Sequence, residues 1–178
     1  MLVPLLLVAG EQPRAVFTRR RADLRRHAGE ISFPGGRRDP EDRDLRHTAL
    51  REAEEEIGLA PDAVELVGEL TPTSTFVTGY LIHPFVGLVP GGQRWRLSPL
   101  EVDEVLELPL ASLQTGRTRT RMERRGISFE TDAYIVGEHL IWGATARILD
   151  DLLERLDVLL DGRDSPPPPA AGEQRVHG

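Results

Sequence analysis

Short apolar runs bounded by polar turns alternate along this chain with two stretches in which apolar residues return at helical spacing. The strand-like runs are Leu2–Ala9, Ala15–Arg19, Val64–Leu70, Tyr80–Val89 and Val102–Leu108, with weaker ones at Arg117–Met122, Ile127–Phe129 and Tyr134–Val136. One helix is predicted over Leu45–Ile57. It stops at Gly58, with Pro61 just beyond, a strong C-terminal signal. The other is predicted over Glu138–Leu160, where Ile141, Ile148, Leu149, Leu152, Leu156 and Leu159 fall at helical spacing. Strands mixed with two helices imply an α/β domain with its sheet between helical layers. Residues 1–160 read as that single domain. The remainder, 161–178, contains GRDSPPPPAAGEQRVHG and offers almost nothing large and apolar to bury, so a disordered tail is expected there. A ligand for a polyproline-binding module is the less common use of such prolines.

Composition narrows the function classes. A length of 178 residues is enough for one domain with a proper core. The formal net charge of −7 argues against a nucleic-acid surface. With no cysteine, disulfides, thiolate catalysis and zinc–thiolate sites are excluded, and a cytoplasmic location fits. The opening MLVPLLLVAG lacks a basic leader and a cleavage site, carries a proline and is too short to span a bilayer. It reads as a buried first strand. Because that strand opens almost at Met1, the natural start is expected slightly upstream.

The segment REAEEEIGL, Arg51 to Leu59, carries the chemistry. At 100° per residue, Leu45, Ala49, Leu50, Ala53 and Ile57 share one arc and face the core. Glu52, Glu55 and Glu56 share the adjoining arc, and Glu54 points nearly the opposite way. Like charges at that spacing destabilise a helix by about 0.2–0.5 kcal/mol per pair. They also lie near its C-terminus, where the dipole disfavours anions. Taken alone, such a run is most often a solvated face. Yet three convergent carboxylates suit Mg²⁺ or Mn²⁺, hard cations that prefer oxygen, and bound metal would relieve the repulsion and activate a water.

The preceding loop decides between these readings. Phe33-Pro34-Gly35-Gly36 turns sharply out of an extended segment, and two glycines let backbone approach a ligand closely. Pro-Gly-Gly followed at this interval by Arg-Glu-x-x-Glu-Glu-x-Gly resembles the Nudix box, which runs Gly, five residues, Glu, seven residues, Arg-Glu-apolar-x-Glu-Glu-x-Gly-apolar. Gly36, Arg51, Glu52, Ala53, Glu55, Glu56, Gly58 and Leu59 fill its places. Asp42 stands where the pattern has its first Glu, and the gap from there to Arg51 is one residue longer. Upstream, Val16-Phe17-Thr18-Arg19-Arg20, Arg25, Gly29 and Phe33 to Gly36 are similar to the motif of the coenzyme A-hydrolysing branch. Arg21 departs from its small residue. Thr48 to Ala53 and Ile141 to Thr145 also resemble that branch.

The resemblance implies a Nudix-type α/β/α sandwich with a mixed sheet. It implies divalent metal, Mg²⁺ or Mn²⁺, on Glu52, Glu55 and Glu56 with help from the Gly36 carbonyl, and Arg51 holding a glutamate in place. Glu101 and Glu104 are distant-loop candidates for the general base, against the plainer reading of solvent-facing strand residues. Arg20 and Arg25 fall on the motif and, with Gly35 and Gly36, are the candidate substrate contacts. The wider basic run of Arg19, Arg21, Arg26 and His27 reads equally as ion-paired surface. His47, His83 and His139 lack metal spacing. Trp95, Trp142 and Tyr80 have the chemistry to stack on adenine but read as core. Asp39 to Arg43 fails as a calcium loop.

The implied reaction is hydrolysis of coenzyme A, or a derivative, to 3′,5′-ADP and 4′-phosphopantetheine. ADP-ribose, dinucleoside polyphosphates or dNTPs are the alternative substrates, and a nucleotide-sensing module without catalysis is the alternative class. The implied partner is a small nucleotide-derived molecule, with neither nucleic acid nor membrane; a homodimer is compatible with the sequence.

Overall fold

The first strand is buried at five of its six positions, so both of its faces need cover. That requirement organises the domain. The computed structural model describes residues 1–23, 29–75, 79–124 and 126–163. In chain order they form β1 (Leu2–Leu7), β2 (Arg14–Arg20), β3 (Ile31–Ser32), α1 (Leu45–Ile57), β4 (Glu65–Glu69), β5 (Thr73–Ser74) and β6 (Leu81–Ile82). There follow β7 (Phe85–Pro90), β8 (Val102–Pro109), α2 (Leu110–Thr115), β9 (Arg117–Arg124), β10 (Ile127–Val136), β11 (His139–Trp142) and α3 (Gly143–Arg163).

Alternation along the strands assigns the two faces. Leu2 and Leu6 of β1 and Val16 of β2 pack with Ala49, Ala53 and Ile57 of α1. Val3, Leu5, Ala15 and Phe17 pack with Ile148, Leu149, Leu152 and Leu153 of α3. The result is the expected α/β/α sandwich around a mixed sheet. Strand β1 runs parallel to β7 and antiparallel to β2, and β4 continues the sheet beyond β7. Strand β8 lies along the whole of β2, whose two ends on the other side meet β1 and β3. A separate three-stranded sheet, β11-β10-β9, packs against α3.

The structure corrects several element boundaries. The last helix begins at Gly143, not Glu138. Ile141 and Trp142 belong to β11, which pairs with β10 through Tyr134↔Ile141 and Ala133↔Trp142. Gly137 and Gly143 both have left-handed backbone, φ +60 and +67, so a tight hairpin ends at one and the helix starts at the other. The helix also runs past residue 160, to Arg163; the rest of the proline-rich segment lies outside the described residues. Ile127–Phe129 and Tyr134–Val136 are parts of one long strand, β10. The Tyr80–Val89 run is divided between β6 and β7, because Pro84 cannot donate to a ladder. Two-residue strands β3 and β5 and the single turn and a half of α2 have patterns too short to be read from sequence. Among the described residues no helix is long and apolar enough to cross a membrane.

Candidate active site

Helix α1 has the boundaries its periodicity predicts, and both ends are capped. Asp44 accepts from the His47 N–H at 2.8 Å. Gly58, at φ +71, turns its N–H back to the carbonyls of Ala53 and Glu54. Ala49, Ala53 and Ile57 are fully buried and fix the helix rotation. Glu56 is then carried inward, 5% exposed, under the Pro-Gly-Gly loop, where the Gly35 N–H donates to its Oε2 at 3.4 Å. A Cβ on Gly36 would overlap the Glu52 carboxylate, so any side chain here would push that carboxylate from its present place.

Arg51 binds this arrangement together. Its Nε and one terminal nitrogen each donate to Asp42 at 3.0 Å. The guanidinium also reaches Glu52 at 3.0 Å, Glu55 at 3.1 Å and the Arg37 carbonyl at 3.1 Å. Asp42, whose side chain is 1% exposed, accepts further bonds from Thr48 Oγ1 at 2.8 Å and the Asp39 N–H at 3.0 Å, and its other oxygen lies 3.0 Å from His47 Nδ1. These donors, Arg51 foremost, hold its carboxyl well below the usual range. Sequence reading left Asp42 without a role. Its carboxylate anchors the arginine of the glutamate helix, and the extra loop residue is absorbed without disturbing that pairing.

The two distant-loop candidates separate. The loop before β8 is tied to the end of α1: Arg96 N–H donates to the Ile57 carbonyl at 2.9 Å and Ser98 N–H to the Glu56 carbonyl at 2.8 Å. Glu101, three residues on, is close enough to raise the proton affinity of both Glu52 and Glu56. Glu104 instead pairs with Arg19 at 3.2 Å. Strand alternation explains the split among the arginines too, since Arg19 and Arg20 leave β2 on opposite faces. Arg20 lies on the side of α1, its charge acts on Glu56, and its Nε is buried without a hydrogen-bond partner among the described residues. Arg25 lies outside the described residues.

Electrostatically the centre is an excess of negative charge in a dry place. Burial, then the Glu52 and Glu101 charges, push the Glu56 carboxyl up to about 8; burial also raises Glu52. Among the described residues no three acidic or histidine side chains are already gathered at metal distance. Glu55 stands outward, its side chain 60% exposed, against Arg51. The donor set nonetheless fits a hard divalent cation. It offers only oxygen, the buried Glu56 and the part-exposed Glu52 repel each other, and Gly36, having no side chain, lets the Glu52 carboxylate lie against its backbone. Of two open grooves among the described residues, the first adjoins this region and the second lies on the opposite, Arg19 face of β2. One, about 450 Å³, runs between Glu54 and Glu55 and residues 96–99. The other, about 590 Å³, lies beyond β3 between Arg19, Glu30, Met122 and Trp142.

The family model described as NUDIX domain matches residues 2–127. A Photorhabdus laumondii protein named uncharacterized Nudix hydrolase NudL is 39% identical over 158 residues, covering 88% of this chain and 84% of the relative. Among solved structures, the C. elegans Ap4A hydrolase binary complex aligns at TM-score 0.56 and 16% identity, over 90% of this chain and 96% of that one. The NUDIX domain of Shewanella oneidensis NrtR complexed with ADP ribose aligns at TM-score 0.54 and 18% identity, over 87% and 86%. At such identities these two structures speak to the fold alone.

Proposed function

The chain belongs to the Nudix hydrolase family, and from that premise we propose that it hydrolyses the internal diphosphate of coenzyme A or a coenzyme A derivative. Products are 3′,5′-ADP and 4′-phosphopantetheine, or its acylated form. The observation that carries the substrate assignment is Arg20. It occupies the arginine place of the coenzyme A-branch motif, it lies on the side of the glutamate helix, and its buried Nε has no hydrogen-bond partner among the described residues. A buried guanidinium N–H without an acceptor is suited to a phosphate oxygen, and a substrate with three phosphates has oxygens to offer.

In this reading Glu52, Glu55 and Glu56, with the Gly36 carbonyl, hold Mg²⁺ or Mn²⁺. The bound cation supplies charge neutralisation of the diphosphate and a more acidic water. Arg51 keeps Glu52 and Glu55 oriented through its anchor on Asp42. Glu101, rather than the ion-paired Glu104, takes the proton of the attacking water. The water oxygen bonds to one phosphorus, the bridging oxygen leaves with the other, and Arg20 offsets charge on the non-bridging oxygens.

Product analysis tests the proposal: the protein with coenzyme A and Mg²⁺ or Mn²⁺, beside parallel reactions with ADP-ribose, Ap4A and dNTPs. Release of 3′,5′-ADP and 4′-phosphopantetheine, abolished by EDTA and faster than turnover of the others, is the expected result. Faster cleavage of another nucleotide would keep the hydrolase and overturn the substrate. Binding without cleavage of any of them would favour a sensing module.

A further inference from the structure

Tyr80 does not take the core place its residue type suggests. It is 49% exposed, and the Arg37 guanidinium lies over its ring at 4.6 Å from the centroid. Its backbone is held firmly for so exposed a residue. The Thr75 N–H donates to the Tyr80 carbonyl at 2.8 Å, and the Tyr80 N–H donates to Thr75 Oγ1 at 3.0 Å. The base of the same hairpin is fastened to α3, where the Thr71 N–H donates to Asp151 at 2.6 Å and Arg155 donates to Thr71 Oγ1 at 3.1 Å. Arg37, for its part, directly follows Gly36, the residue lying against the Glu52 carboxylate. Its carbonyl accepts from Arg51 at 3.1 Å, the same guanidinium that holds Glu52 and Glu55. One peptide therefore links the carboxylate centre to a half-exposed aromatic ring, and the gap between them is the reach of one arginine side chain.

We propose that Tyr80 and Arg37 form the seat for the nucleobase of the substrate whose diphosphate lies over Glu52 and Glu56. An aromatic ring and a guanidinium plane are the two protein surfaces on which a base stacks, and stacking tolerates any base because each has a π face. The guanidinium keeps its charge over the ring, so what the pair adds beyond a cation is a flat stacking surface. It thus complements Arg20, which approaches the glutamates from β2 and takes anionic oxygens. The inference rests on nucleotide diphosphate cleavage at this site and not on coenzyme A being the nucleotide.

The test is calorimetric binding to the metal-loaded protein of two uncleavable probes, α,β-methylene-ADP and its base-free counterpart, methylene diphosphonate. Tyr80→Ala is expected to weaken the first by about tenfold or more, the scale of one lost base stack, and to leave the second unchanged. Tyr80→Phe retains binding because the ring remains, and Arg37→Ala falls between. Equal weakening of both probes would assign the pair to loop support, and no weakening of either would put the ring outside the site; both overturn the seat. Failure to cleave coenzyme A alongside a base-dependent loss in Tyr80→Ala would remove only the coenzyme A reading.

Discussion

Asp42 and Glu56 are both buried carboxylates, and their surroundings drive them in opposite directions. Asp42 receives donors on both oxygens and stays ionised. Asp42→Asn would put an amide against Arg51 and leave the guanidinium without its main counter-charge. We expect a lower melting temperature and divalent-metal affinity weaker by about 10–100-fold, the range for losing a partner behind a metal ligand. Manganese titration of the variant checks this; unchanged affinity would mean that Arg51 keeps its place without Asp42. Glu56 has one long backbone donor and carboxylates around it, and is pushed up to about 8. Glu56→Gln is expected to lower turnover by about 10²-fold or more, on the scale of removing one charge-stabilising group. The metal-free variant should melt no lower than the parent at alkaline pH, since the amide carries no charge to bury. A steady-state assay beside a thermal melt separates the two effects.

At the level of elements, the proposed role of Glu101 depends on how the end of α1 is joined to the loop before β8. A Cβ on Gly58 would stand 2.9 Å from the Arg96 Cβ, and its φ of +71 is left-handed. Two demands therefore fall on one glycine: it ends the helix, and it lets residues 96–98 bond to the last carbonyls. Gly58→Ala should cost about 1–2 kcal/mol from backbone strain alone. It should also lower kcat more than it raises KM, because the displaced segment leads to Glu101. Equal kcat in a destabilised variant would detach Glu101 from the reaction. The register of β2 has a comparable effect. Its irregularity between Arg19 and Arg20 lies where one arginine turns to Glu104 and His139 and the other towards α1.

For the whole molecule, the two carboxylates predict how stability follows pH in the absence of metal. Asp42 has a folded pKa below its ordinary value, so its contribution is present above about pH 4 and is lost as pH falls through the lower folded value. Glu56 has a folded pKa of about 8 against an ordinary 4.5, so its contribution is full below 4.5 and is lost as pH rises through 8. The metal-free protein should therefore melt progressively lower from about pH 5 to pH 6; above that the Met1 ammonium, lowered by burial from 8.0 to about 6, acts in the opposite direction and the slope flattens. Saturating Mg²⁺ or Mn²⁺ should remove that slope, because binding takes the deprotonated carboxylate and releases its proton. Glu56→Gln serves as the control. A slope that persists in it would belong to the general charge of −7 instead.

The primary sequence determined what is local. Apolar residues at helical spacing, stopped by Gly58, fixed α1, and the same spacing put Glu52, Glu55 and Glu56 on the arc beside its buried stripe. Runs apolar on both faces required a sheet covered twice. Tertiary structure decided what depends on residues far apart in the chain. Glu101 stands by the glutamates and Glu104 does not, because the loop before β8 bonds to the carbonyls of Glu56 and Ile57. His139 to Trp142 forms a strand, since β10 offers it a ladder that outweighs its helical spacing. Tyr80 lies at the surface because its hairpin is anchored by Asp151 and Arg155, about 80 residues away. Periodicity reports which side of an element is buried; which partner buries it is set by pairings that no local pattern contains.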